Sequence, residues 1–177
     1  MRILSAPRAA GFSLIEVLVT IVILMIGLLG LAALQTNATV AEMEAYQRSQ
    51  ALVLVQDMAD RIATNKGKAS EYVKNDIGLA TVDCKNLTGS KLDLCEWGNM
   101  LAGASEVTTG GANVGAMVGA RGCVTVPSAN VYMVTVAWQG FSAAGYPAAA
   151  CGKDKYGNDG QRRTVSQIVR VALLAAP

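Results

Sequence analysis

The chain has no histidine. That absence removes the Ser-His-Asp and Cys-His triads, the histidine general base and every histidine-bearing zinc site. Aromatic residues make up only 5% of the 177 residues, so any soluble part has a modest core. Charge is nearly balanced at a formal +2, and no general affinity for nucleic acid follows from that. From residue 17 to residue 34 there is no charged side chain at all, and from 35 to 65 there is neither proline nor glycine. Glycines cluster later, at 103, 110, 111, 115, 119 and 122, but in no G-x-G-x-x-G or Walker spacing after a clear strand, so phosphate binding is not expected. No cofactor and no metal site is expected.

What is present begins with the uncharged run itself. Residues 17–34 number 18, with Thr20 the one polar side chain, which meets the length criterion for a membrane-spanning helix. One acid, Glu16, stands at its head. An ionised carboxylate in hydrocarbon costs roughly 2.5 to 3.5 kcal/mol on insertion scales, so a functional reason is sought for it. Arg2 and Arg8 precede the run with no acid between them, which keeps the N-terminus in the cytoplasm and sends the rest across the membrane. A secretory signal peptide cut near Gly30-Leu31-Ala32, or a plain signal anchor, is the simpler explanation. The run is longer than the 7 to 15 residues of a usual signal core, and an acid at its start is out of character there. The four cysteines, Cys84, Cys95, Cys123 and Cys151, all lie after the run, and an even count beyond an export signal reads as two disulfides in an oxidising compartment.

Residues 11–19, GFSLIEVLV, after a short basic leader, resemble the class III signal of type IV prepilins and type II secretion pseudopilins. The resemblance implies that prepilin peptidase cuts between Gly11 and Phe12 and N-methylates Phe12. Cleavage frees an ammonium on Phe12, four residues and hence one helical turn from Glu16. In a bundle of such helices Glu16 can meet the amine of a neighbour instead, and an unpaired charge there costs several kcal/mol. Glu16 is therefore expected to act as a register key in assembly.

Beyond residue 34 the helical pattern continues: Ala51, Leu54, Val55, Met58, Ala59 and Ile62 share one face, Asp57 and Arg61 are four apart, and Lys66-Gly67 supplies a stop. A single helix over 13–65 is expected, about 80 Å long at 1.5 Å per residue. Gly27 and Gly30 lie inside it as points of softening or of close packing, or as glycines merely tolerated in a membrane helix. Residues 66–122 read as the least regular part. Cys84 and Cys95 enclose ten residues, so a local staple is the economical pairing, although four cysteines allow three connectivities. Cys123 with Cys151 is then the second bridge. Strands are expected at 123–126, 131–138 and 164–174, with 127–130 as a turn, forming an antiparallel sheet covered by the 51–62 stripe. In 131–138, Tyr132, Val134, Val136 and Trp138 share one face.

The loop 140–163 holds Lys153, Lys155, Arg162 and Arg163, with Tyr156 between them and Asp154, Asn158 and Asp159 nearby. Three readings compete for it: a solvated polar loop, a calcium site on Asp154, Asn158 and Asp159, and a basic patch with Tyr156 as a stacking platform for an acidic partner or DNA. The first is favoured, since calcium wants six to eight oxygens and few are in sight. No catalytic constellation emerges; Asp57 and Asp60 beside Arg61 are expected to decorate an exposed helix face. The chain is read as a structural and interaction protein, not an enzyme.

Segments IGLLGLAALQ, QDMADRIATN, CVTV, YMVTVAWQG and RRTV narrow the resemblance to minor type IVa pilins of the PilV group. It implies an α+β, type IV pilin-like fold: a long N-terminal helix, half in the membrane and half amphipathic, packed on a small antiparallel sheet. The implied organisation is a leader 1–11 removed on processing, an assembly helix 12–34, its amphipathic continuation 35–65 and a periplasmic domain 66–177. The implied partners are prepilin peptidase, the inner membrane, other minor pilins, the major pilin and a PilY-type tip adhesin, with nucleic acid not expected. Major pilins usually carry a proline within the membrane span, and this span has none. A minor pseudopilin of type II secretion and a binding subunit of a DNA-uptake pilus are the alternatives.

Overall fold

The computed structural model describes residues 11–104, 107–111, 113 and 117–172. The leader, Arg2 and Arg8 included, parts of the glycine-rich stretch and residues 173–177 lie outside the described residues. Two units divide at residue 42. In the first, α1 (Leu14–Thr64) begins, and every described side chain up to residue 39 is exposed. An unbroken 51-residue helix agrees with the absence of proline, and Gly27 and Gly30 do not interrupt it.

In the second unit, the remainder of α1 buries Gln47, Ala51, Val55, Met58, Ala59 and Ile62, residues spaced by three and four that make one stripe. The helix ends where Thr64 turns its hydroxyl onto the carbonyls of Asp60 and Arg61 and Gly67 follows. A 3₁₀ helix (Lys66–Tyr72) leads to β1 (Lys74–Ile77), then α2 (Ser90–Leu101), β2 (Arg121–Ser128), β3 (Val131–Gln139) and β4 (Arg162–Arg170). The four strands form one antiparallel sheet in the order β1-β2-β3-β4.

The stretch expected to be irregular therefore contains an edge strand and a helix. β1 (KNDI) has no strand signal of its own and exists as a ladder on β2. α2 (SKLDLCEWGNML) begins without a side-chain cap and holds a glycine; it is secured by Trp97, which is fully buried and donates from Nε1 to the Leu54 carbonyl of α1 at 2.8 Å. The expected strand at 123–126 extends through Pro127, which the ladder accommodates by a register shift between Thr125 and Ser128. Asn130, at φ 59°, makes the turn into β3. The last strand starts two residues earlier than expected and ends at Arg170; residues 173 and 174 of the expected strand lie outside the described residues.

Tyr132, Val134, Val136 and Trp138 do face the α1 stripe, and all are buried with Trp97, Leu101 and Val124. The opposite face of the sheet is not bare. Cys123, Ala137, Cys151 and Tyr156 form a second small core there, so the loop between β3 and β4 folds over the outer side of β2 and β3. Cys123 is bonded to Cys151 and Cys84 to Cys95, with Cα separations of 5.8 and 5.9 Å.

Candidate processing and assembly site

Gly11 and Phe12 precede α1 and are exposed, Phe12 at 84%. The Ser13 carbonyl accepts the N–H groups of Glu16 and Val17 at 3.0 and 3.3 Å, which sets the first turn of the helix. Glu16 lies in that turn, where the positive end of the helix dipole favours an acid. Along residues 17–34 the helix satisfies its own backbone, and the Thr20 hydroxyl donates to the Val17 carbonyl at 2.8 Å. A bilayer requires this closure of polar groups. A Cβ added at Gly27 or Gly30 would meet nothing within 4 Å, so neither glycine is required by a contact among the described residues.

The loop 140–163 differs both from the favoured solvated loop, since Arg162 and Tyr156 are buried, and from the alternative basic patch. Arg162 is only 2% exposed and is a structural latch: both Asp159 carboxylate oxygens accept from its guanidinium, at 2.6 and 3.0 Å. It also donates to the carbonyls of Pro147, Ala149 and Cys151, which holds the loop against the sheet. Arg163 is on the α1 side, donating to Glu44 of that helix at 3.2 Å and to the carbonyls of Ser142 and Gly160. Tyr156 is no stacking platform, because it is buried with its hydroxyl donating to the Gly119 carbonyl at 3.0 Å; burial pushes the phenol up to about 12. Lys153 and Lys155 remain exposed.

Two of the three side chains in the calcium reading are engaged elsewhere. Asp159 is committed to Arg162, and the Asn158 side-chain oxygen accepts from the Gly160 N–H. Among the described residues no group of three potential acidic or sulfur ligands comes together.

Two sequence families match the chain, and they abut. The prokaryotic N-terminal methylation motif covers residues 7–32, and the family described as type IV pilin Tt1218 covers residues 33–98. This chain is a type IV pilin. No curated protein and no solved structure gave a match. As a pilin with the methylation motif it is a structural subunit of a pilus or pseudopilus rather than an enzyme, a substrate of prepilin peptidase and a partner of other pilins.

Within the matched region this pilin carries a polar knot that the spacing revealed only in part. Arg61 donates to Asp57 at 2.9 Å, as the four-residue spacing suggests, and also to Asp93 at 3.0 Å and Glu96 at 2.8 Å on α2. Tyr72 donates to Asp93 and accepts from Asn65. Burial and the Asp93 carboxylate both raise the Tyr72 phenol above its ordinary value. Arg61 is thus the bridge from α1 to α2, with Asp57 as its partner on α1, whereas the Asp60 side chain accepts from Gln56 at 2.8 Å.

The Arg162 latch has a pH signature. The guanidinium hydrogen bonds hold the Asp159 carboxyl below its ordinary 3.8. A depressed folded-state value contributes stability that is complete above about pH 3.8 and is lost as pH falls through the lower folded value. Asp159→Asn is expected to lower Tm at pH 7 and to flatten the fall in Tm below pH 4, because Arg162 stays buried without its carboxylate. Thermal unfolding of both proteins between pH 2 and 7 checks this. Parallel curves for the two would show that the pair contributes nothing.

Proposed function

We propose that this pilin is a minor subunit of a type IV pilus, of the PilV group. Prepilin peptidase cuts it after Gly11 and methylates Phe12. Residues 12–34 then store it in the inner membrane with residues 66–177 in the periplasm, until it joins other minor pilins and a PilY-type adhesin in the complex that primes assembly and stays at the tip. The observation that carries the reading is the methylation motif over 7–32 with Glu16 at the head of a helix uncharged from 17 to 34. Such a helix is stored in lipid and has one charge with which to find a neighbour's amine. The DNA-uptake reading is less favoured, since Arg162, Arg163 and Tyr156 are engaged inside the domain and Lys153 and Lys155 alone of its basic set are exposed.

The pilus reading is tested by shearing filaments from cells and quantifying the subunit. The expected result is recovery in the filament fraction at a small ratio to the major pilin, with far fewer filaments when the chain is deleted. If deletion leaves filaments unchanged and blocks release of secreted proteins, the chain is a pseudopilin of type II secretion.

A further inference from the structure

The two edges of the sheet are built differently. β1 has four residues, its register on β2 slips between Lys74 and Ile77, and Asp76 sits at φ 54°. Short length, a bulge and charge are devices that stop an edge from accepting another strand. β4, at the other edge, has none of them over its middle. It pairs with β3 residue for residue from Arg162 to Arg170 without a bulge, and residues 164–169 (TVSQIV) contain neither charge nor proline. Alternate residues of such an edge direct their backbone N–H and C=O groups away from the sheet. Among the described residues, no strand, loop or side chain takes up the outward groups of 164–169.

An open ladder of this kind is complementary to one thing, an extended polypeptide. Two side chains beside it narrow the choice. Ile168, on the face away from α1, is 57% exposed, which gives an apolar anchor at the edge. Arg170 is exposed and has no acidic partner among the described residues. A second copy of β4 is a poor occupant. Antiparallel pairing about Ser166 would set Arg170 opposite Arg162, already bound by Asp159, and Arg170 would again lack an acid.

We propose that β4 is a strand-addition edge for an extended segment of a different polypeptide, with an apolar side chain beside Ile168 and an acid against Arg170. The added strand would take up the open backbone groups and extend the sheet to five strands from the four in the isolated chain. The inference needs only that the domain meets a second protein, so it stands apart from which filament the subunit enters.

The test places a photo-crosslinking amino acid at Ile168 of the full chain in cells that carry its assembly machinery. The expected result is one principal adduct whose crosslinked peptide comes from another protein, alternates apolar and polar residues, and contains an acid. Arg170→Glu is expected to reduce that adduct about ten-fold by placing like charges together. Arg170 is exposed, so the charge reversal leaves Tm unchanged, which is measured on the purified variant. The same probe at Val73, beside β1, is expected to give no adduct. Absence of an adduct at 168, adducts only between copies of this chain, equal yield at Val73, or indifference to Arg170→Glu would each overturn the inference. Recovery of the chain in sheared filaments is scored in the same cells, so failure of the filament reading is seen separately.

Discussion

Glu16→Ala is expected to leave processing and membrane insertion intact while lowering entry into filaments by about ten-fold or more, and two terms with the same sign produce that loss. Removing the carboxylate makes storage in lipid more favourable by roughly 2.5 to 3.5 kcal/mol, which deepens the state from which the subunit must be extracted. It also leaves the neighbouring N-terminal amine without its anion in a low-dielectric bundle, a penalty of about 3 to 5 kcal/mol for a broken buried pair. None of the residues in the two cores lies before Ala51, so the domain itself is unaffected. Glu16→Asp keeps the charge on a shorter arm and is expected to fall between. The measurement is the ratio of filament-bound to membrane-bound subunit. A ratio equal to wild type for Glu16→Ala would remove the register role.

The largest effect on stability is expected at Gly122 of β2. A Cβ placed there would lie 2.2 Å from Cζ3 and 2.3 Å from Cη2 of Trp97, and 2.7 Å from Cδ1 of Leu101. Neither neighbour has anywhere to go. Trp97 is completely buried, and rotating its indole would break the hydrogen bond from Nε1 to Leu54 and leave that donor dry. Overpacking of about 1 to 3 kcal/mol and a buried donor worth about a further 1 to 3 kcal/mol put Gly122→Ala at about 2 to 6 kcal/mol. Denaturant unfolding of the full chain in detergent, followed by tryptophan fluorescence, measures it. Gly122→Ala combined with Trp97→Leu is expected to cost less than the two changes summed, because the smaller side chain makes the room that the methyl group needs. Strict additivity would mean that the clash is relieved by backbone movement instead.

How far the chain could be read from its residues depended on whether the relevant partner lay nearby. The long helix was legible because its stripe at 51, 55, 58, 59 and 62 repeats without a breaker, and β3 because Tyr132, Val134, Val136 and Trp138 alternate. β1 was not, since KNDI becomes a strand only by bonding to β2 some 45 residues later, as Asp76 does to Arg121. α2 was hidden for a related reason: its stabilising contact is Trp97 with Leu54, 43 residues earlier. Arg162 and Arg163 read as surface charge because their burial follows from a loop that folds over the sheet. Asp159, three residues from Arg162, was a local hint, while Glu44, 119 residues from Arg163, was out of reach of any spacing argument. The processing site was the reverse case. Gly11, Phe12 and Glu16 lie together inside the methylation motif matched over residues 7–32, so the roles proposed for them rest on local sequence.

Glu16 has an amine to meet only if Gly11 is cut away. The mass of the N-terminal peptide, taken from cells with and without prepilin peptidase, tests that cleavage most directly. With the enzyme the predicted terminus is N-methylated Phe12; without it, the peptide retains Gly11 and the leader. A terminus near Ala33 would instead make the apolar run a removed signal peptide, and an uncut leader in the presence of the enzyme would make it a plain anchor; either contradicts the account.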